Sequence, residues 1–183
     1  VLLTANNADS GTVEIVETDN LALDQVDNAT REVILTASAG AITDGGNANM
    51  DLIAGHATLQ TANGIGSGDA IETNITLLTA VNSMSGTIEV NEASALEIDV
   101  VNNGSNDVSL SAGGAIIDDD QDNSVDVVAG QLDLVANGGI GSGNAIDTNI
   151  SKLMATNTGS GTIEINETDS LTLVAVDNAT RNV

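Results

Sequence analysis

Three stretches of the chain read almost alike: Gly11-Thr12-Val13-Glu14-Ile15, Gly86-Thr87-Ile88-Glu89-Val90 and Gly161-Thr162-Ile163-Glu164-Ile165, each 75 residues after the last. Other landmarks keep the same interval. Ile65-Gly66-Ser67-Gly68 returns as Ile140-Gly141-Ser142-Gly143, and Val26-Asp27-Asn28-Ala29-Thr30 returns after two periods as Val176-Asp177-Asn178-Ala179-Thr180. Laid side by side without gaps, residues 11–85 and 86–160 share about 30 identities. Self-similarity at a fixed period marks a repeat architecture, in which each unit buries its apolar face only by stacking on the next. The divisions are the end of a preceding repeat over 1–10, repeats over 11–85 and 86–160, and the start of a third over 161–183, all in one continuous solenoid over 1–183. The phase slips once, where Ala37-Ser38-Ala39-Gly40-Ala41-Ile42 faces the shorter Ala112-Gly113-Gly114-Ala115-Ile116, and it recovers before Ile140. Loops absorb such changes while strands keep phase. On this reading the pattern is expected to continue past Val1 and Val183.

A core for this chain must be built without rings. The sequence is 41% apolar yet holds no Phe, Tyr, Trp, Cys or Pro, so Val, Leu, Ile and Ala supply all of the interior. Aromatic side chains carry much of the buried area of ordinary globules, whereas a narrow solenoid interior suits small and branched aliphatics. Net charge is −24, with 27 acidic residues against Arg31, Lys152 and Arg181. That balance excludes nucleic acid as a partner and disfavours an acidic membrane surface. No apolar run approaches the roughly 20 residues of a spanning helix, so membrane insertion by a helix is not expected.

Period-two alternation, the strand signature, runs through Thr12-Val13-Glu14-Ile15, Leu21-Ala22-Leu23-Asp24, Glu32-Val33-Ile34-Leu35-Thr36-Ala37 and Leu132-Asp133-Leu134. Helical spacing is sustained nowhere. Clusters such as Asp44-Gly45-Gly46-Asn47 and Ala62-Asn63-Gly64 lie between the runs and supply the positive φ angles of tight corners. One substitution orients the strands: Leu77 becomes Lys152 in the next copy. That phase points outward, so Leu78 and Ala80 point in. By the same logic Asp24 and Asp99 lie outside while Leu23 and Ile98 lie inside, and Glu14, Glu89 and Glu164 lie outside against Val13, Ile88 and Ile163. The fold expected is all-β: a right-handed parallel β-helix, or β-solenoid, of 75-residue repeats with about three to four coils in each, since a coil takes some 19 to 25 residues. With coils rising roughly 4.8 Å each, the chain would form a rod about 40 Å long.

The phrases Leu35-Thr36-Ala37 with Gly40-Ala41-Ile42-Thr43-Asp44, then Thr61-Ala62-Asn63-Gly64-Ile65-Gly66-Ser67, Ile71-Glu72-Thr73 and Leu78-Thr79-Ala80 resemble the long repeat arrays of giant bacterial surface proteins, the filamentous-haemagglutinin-like and autotransporter-type adhesins. The resemblance covers the whole chain. It implies secretion, display at a bacterial cell surface and a stalk-like or adhesive role, and it brings no catalytic residues.

The richest local constellation is Asp118-Asp119-Asp120-Gln121-Asp122-Asn123. Asp118, Asp120 and Asp122 have the D-x-D-x-D spacing that offers oxygens to a hard cation such as Ca²⁺, and they are the candidate metal ligands. As an EF-hand the stretch is incomplete: the sixth position is Asn123, the twelfth is Ala129, and the first copy reads Thr43-Asp44-Gly45-Gly46-Asn47-Ala48 there. A solvated acidic corner is the simpler reading. Gly64-Ile65-Gly66-Ser67-Gly68 lacks the strand–helix setting of a dinucleotide fingerprint and reads as a corner. His56, the single histidine, has no recurring nucleophile beside it in sequence and reads as a surface side chain. Asn-x-Ser/Thr triplets at Asn28, Asn74, Asn103, Asn149, Asn166 and Asn178 have a sufficient structural explanation in asparagine ladders running from coil to coil.

Three function classes follow. The first is a non-enzymatic, extracellular structural or adhesive segment, continued by further covalent repeats or meeting a host or neighbouring cell surface. The second is a filament subunit that self-associates along the solenoid axis. The third, a polysaccharide-active β-helix enzyme, would have to rest on Asp118, Asp119 and Asp120 alone, without aromatic sugar platforms or a clustered base.

Overall fold

Alternating aliphatic and polar residues become strand wherever they occur. The computed structural model describes residues 2–46, 49–120 and 122–179; Val1, Asn47, Ala48, Gln121 and 180–183, with Thr180, Arg181 and Val183, lie outside the described residues. Along these residues run β1 (Leu2–Asn6), β2 (Val13–Glu17), β3 (Leu21–Asp27), β4 (Glu32–Ala37), β5 (Ile42–Asp44), β6 (Leu52–Ile53), β7 (His56–Thr61), β8 (Ile71–Asn74), β9 (Leu77–Asn82), β10 (Ile88–Glu92), β11 (Leu96–Asn102), β12 (Val108–Ala112), β13 (Ile116–Asp118), β14 (Val127–Ala136), β15 (Ile146–Asn157), β16 (Ile165–Glu167) and β17 (Thr172–Asp177). Every strand pairing is parallel. The fold is an all-β parallel solenoid of about 8 turns with no helix among the described residues.

The structural unit is a turn of roughly 21 residues, not the 75-residue block of the sequence. Within each turn the chain visits two walls. Leu21, Ile42, Ile65, Ile88, Val108, Leu132, Leu153 and Leu173 are successive rungs of one wall. Val13, Val33, Ala57, Leu78 and Ile98 are rungs of the other, which β11 continues through Leu96, Ile116, Ile140 and Ile163. Equivalent residues of consecutive 75-residue blocks therefore exchange walls: Val13 is on one, Ile88 on the other, and Ile163 back on the first.

Between the walls lies one aliphatic core, with Leu23, Leu35, Leu59, Leu78, Ile98, Leu110 and Leu134 fully buried. Each such side chain contributes about 1.5–3 kcal/mol by leaving water. The face assignment from Lys152 agrees with this core: Leu78, Ala80 and Leu153 are buried, Leu77 is half-buried and Lys152 exposed. Outward positions form rungs of their own. Thr4 donates its hydroxyl to Asp24 at 2.6 Å, and one block later Thr79 donates to Asp99 at 2.6 Å.

Corners are made by two devices. Gly66 and its copy Gly141 both sit at φ +60, where an added Cβ would strike the carbonyl oxygen of Glu89 or Glu164 in the next turn; only glycine permits so close an approach. The second device is the asparagine ladder. Asn7, Asn82 and Asn157 each donate to the side-chain oxygen of the asparagine one turn on, Asn28, Asn103 and Asn178, at 2.8, 2.7 and 2.8 Å. Asn28, Asn103 and Asn178 are buried, whereas Asn74, Asn149 and Asn166 are exposed. Asn103 also donates to the carbonyls of Asp107 (2.6 Å) and Gly86 (3.2 Å). Asn103→Ala would strand these acceptors and the Asn82 amide, at about 1–3 kcal/mol for each buried group left unpaired. Thermal unfolding is expected to move down by about 5 °C or more, and Asn74→Ala to leave the midpoint within about a degree.

Candidate functional site

Carboxylates that the strand pattern turns away from solvent are the chemically unusual feature of this solenoid. One kind is fully satisfied. Glu92, at the end of β10, accepts from the Thr73 hydroxyl and the Ile75 amide through Oε2, and from the Ser94 amide and hydroxyl through Oε1, all at 2.8 Å. Its copy Glu167 likewise accepts from the Thr148 hydroxyl at 2.8 Å and the Ile150 amide at 3.1 Å. These two carboxylates are corner braces.

The other kind is not satisfied. Asp44 closes β5, Asp51 immediately precedes β6, and Glu72 lies on β8 in the next turn; one carboxylate oxygen from each lies within 4.8 Å of the others. The Glu72 amide donates to Asp51 Oδ2 at 3.1 Å, but Asp51 Oδ1 is buried without a hydrogen-bond partner among the described residues. Burial raises the Asp51 carboxyl to about 7, and the neighbouring charges of Asp44 and Glu72 push the same way. The Asp44 carboxyl faces Asp51 within this group, and with both ionised the contact is a repulsion between two carboxylates.

One block later the arrangement returns on the other wall. Asp118 closes β13, Asp126 precedes β14, and Asp147 lies on β15, again with oxygens within 4.8 Å and now with all three residues buried. The Asp147 amide donates to Asp126 Oδ2 at 2.8 Å. Asp126 is raised to about 7 by burial, then by the charges of Asp118, Asp147 and Asp120. Asp118 is raised too, chiefly by burial and against the hydrogen bonds from the Asp120 amide and Asn144. Here two amides blunt the charge: Asn144 donates to Asp118 Oδ2 and the Asp120 carbonyl, and Asn166 donates to Asp147 Oδ1. The first block has Asp69 where the second has Asn144.

Of the residues singled out by D-x-D-x-D spacing, the structure brings Asp118 and Asp120 together, with Asp119, but leaves Asp122 outside that group. The three form a relay of turns: the Asp120 amide donates to Asp118 Oδ1 at 3.0 Å, the Asp122 amide to Asp120 Oδ1 at 2.9 Å, and the Ser124 amide to Asp122 Oδ1 at 2.5 Å. Hydrogen bonds from Ser124 hold the Asp122 carboxyl below its usual range. Asp118 also converges with Asp126 and Asp147, which the sequence reading missed. A signal for them existed. Gapless alignment sets Thr43 against Asp118, but strand register pairs Asp44 with Leu23 and Asp118 with Ile98, and Leu23 and Ile98 are 75 residues apart. Carrying the one-residue slip through the loop would have placed all three acids of one block on all three of the other.

His56 lies half-exposed on β7, with Nε2 2.8 Å from the Thr79 hydroxyl and Nδ1 3.8 Å from Glu32. Among the described residues, no basic side chain contributes to the charges acting on Asp51 or Asp126. Among the described residues, no helix is long and apolar enough to cross a membrane. No protein-family model matches the sequence, and no curated protein or solved structure is significantly similar to it.

Proposed function

We propose that this chain is a non-enzymatic segment of an extracellular structural or adhesive fibre, a stalk whose task is to make length at a bacterial cell surface. The observation that carries the reading is the unbroken succession of rungs from Leu21 to Leu173, in which each turn stacks in parallel on the last. The adhesin-array phrases of the sequence support the surface setting. Three lysine or arginine residues and no Phe, Tyr or Trp in 183 residues argue against nucleic acid and against a sugar-processing cleft. In this reading the solenoid is right-handed and each 75-residue block makes three and a half turns, consistent with Val13 and Ile88 standing on different walls. A block then adds about 17 Å of rod, at roughly 4.8 Å per turn.

Small-angle scattering on arrays of two, four and six blocks tests this. Length should grow in proportion at constant cross-section, and a radius of gyration that scales as a globule's would overturn the reading. The second reading is a filament subunit, in which neighbouring chains would continue the parallel ladder. It requires the 183-residue chain itself to lengthen with concentration in sedimentation velocity, and a monomer from micromolar to millimolar would exclude it. The polysaccharide-active reading requires release of reducing ends that is lost in Asp119→Asn.

A further inference from the structure

We propose that each 75-residue block carries a divalent-cation site, specific for Ca²⁺, formed by Asp44, Asp51 and Glu72 in the first block and by Asp118, Asp126 and Asp147 in the second. Convergence comes first. Three carboxylates, each offering an oxygen within 4.8 Å of the other two, fit around an ion that holds its oxygen ligands at about 2.3–2.6 Å. An orphaned atom is the second, independent observation: Asp51 is fully buried and its Oδ1 has no hydrogen-bond partner among the described residues. A buried carboxylate oxygen is costly to leave unpaired, and the neighbouring corner acid Glu92 shows that this fold supplies donors where it needs them. Among the described residues none is supplied to Asp51 Oδ1, and the further acids Asp44 and Glu72 stand beside Asp51.

Recurrence is the third observation. The two blocks differ at more than half of their positions, yet all three sites keep a carboxylate, with Glu72 exchanged only for Asp147. An all-oxygen, all-anionic set without His or Cys selects a hard cation. Among these, Ca²⁺ tolerates irregular coordination and fills remaining positions with carbonyls and water, whereas Mg²⁺ demands a near-ideal octahedron.

The position explains what the ion would do. Asp44 and Asp51 bracket the loop between β5 and β6, and Glu72 belongs to the following turn. A cation held by all three fastens that loop to the next layer, and the second site does the same between β13, β14 and β15. Where the fully anionic triads repel themselves, the ion converts repulsion into a staple between turns.

Isothermal titration of Ca²⁺ into the chain, stripped with chelator and held at pH 8, should give two sites, with affinity in the 10⁻⁴–10⁻³ M range typical of extracellular modules. Asp51→Asn and Asp126→Asn should each remove one site, and the double variant both. Both variants delete a buried charge, so in chelator they should melt at or above the parent's temperature while losing its Ca²⁺-induced rise of about 5 °C or more. Mg²⁺ at equal concentration should give a smaller rise. Three results would overturn the proposal: no heat and no thermal shift at 10 mM Ca²⁺; binding that survives in the double variant but disappears in Asp120→Ala/Asp122→Ala, which would move the ion to the exposed turn; or variants that melt lower in chelator with the Ca²⁺ increment intact, which would make the triads structural only.

Discussion

Leu35→Asp is expected to abolish the cooperative unfolding transition of this chain or lower it by 10 °C or more, whereas Leu77→Lys should move it by no more than about a degree. Leu35 sits at 0% exposure, between Ile15 in the preceding turn and Leu59 in the next. A carboxylate there has no partner and must either be buried charged or drag its strand out of register, a cost at the exceptional end of single substitutions, about 4–5 kcal/mol or more. Damage would spread, because each turn of a solenoid is stabilised chiefly by the turns on either side of it. Leu77 occupies the phase where the next block already carries the exposed Lys152. Thermal melts by circular dichroism at 218 nm check both, and equal damage from the two substitutions would invert the assignment of inner and outer faces.

The cation-free protein is expected to lose stability as pH rises from about 4 to about 7, the reverse of ordinary acid unfolding. Asp51 and Asp126 are raised from 3.8 to about 7 in the folded chain. Across that window the folded state holds protons that the unfolded state has released, so stability must fall with increasing pH. The contribution is fully present below the unfolded value and is gone once pH has passed the folded one. Self-repulsion among the 27 acidic residues grows in the same direction. In chelator, a melting temperature about 10 °C lower at pH 8 than at pH 5 is the expected result, and Asp51→Asn/Asp126→Asn should flatten most of the difference. A midpoint that instead rises between pH 5 and pH 8 would show that these two carboxyls do not retain their protons on folding.

Period and alternation made the fold legible, because a strand's two faces are written residue by residue and the exchange of Leu77 for Lys152 labels one of them. The absence of aromatic residues was equally direct, since a two-walled interior admits only one layer of aliphatics between facing strands. The length of the structural unit was not legible in the same way. A sequence period reports the interval at which residues are copied, while the turn is set by how many residues the corners consume, and the loop over 45–51 consumes more than the corner over 38–41. The acid triads were illegible for a related reason. Asp44 and Asp51 converge although six residues separate them in sequence, and Glu72 joins them across a turn. Local spacing instead drew the eye to Asp122, whose carboxylate serves the backbone two residues on.

The exchange of walls between consecutive blocks has an evolutionary and mechanical consequence. Gain or loss of a single block by unequal recombination would extend or shorten the rod and also swing everything beyond the junction to its far side. Only changes of two blocks at a time leave the facing of a distal element untouched. Lys152 and Leu77, one block apart, already look out from different sides. A surface patch repeated once per block would thus alternate left and right along the solenoid, cancelling any bend that a one-sided patch would impose.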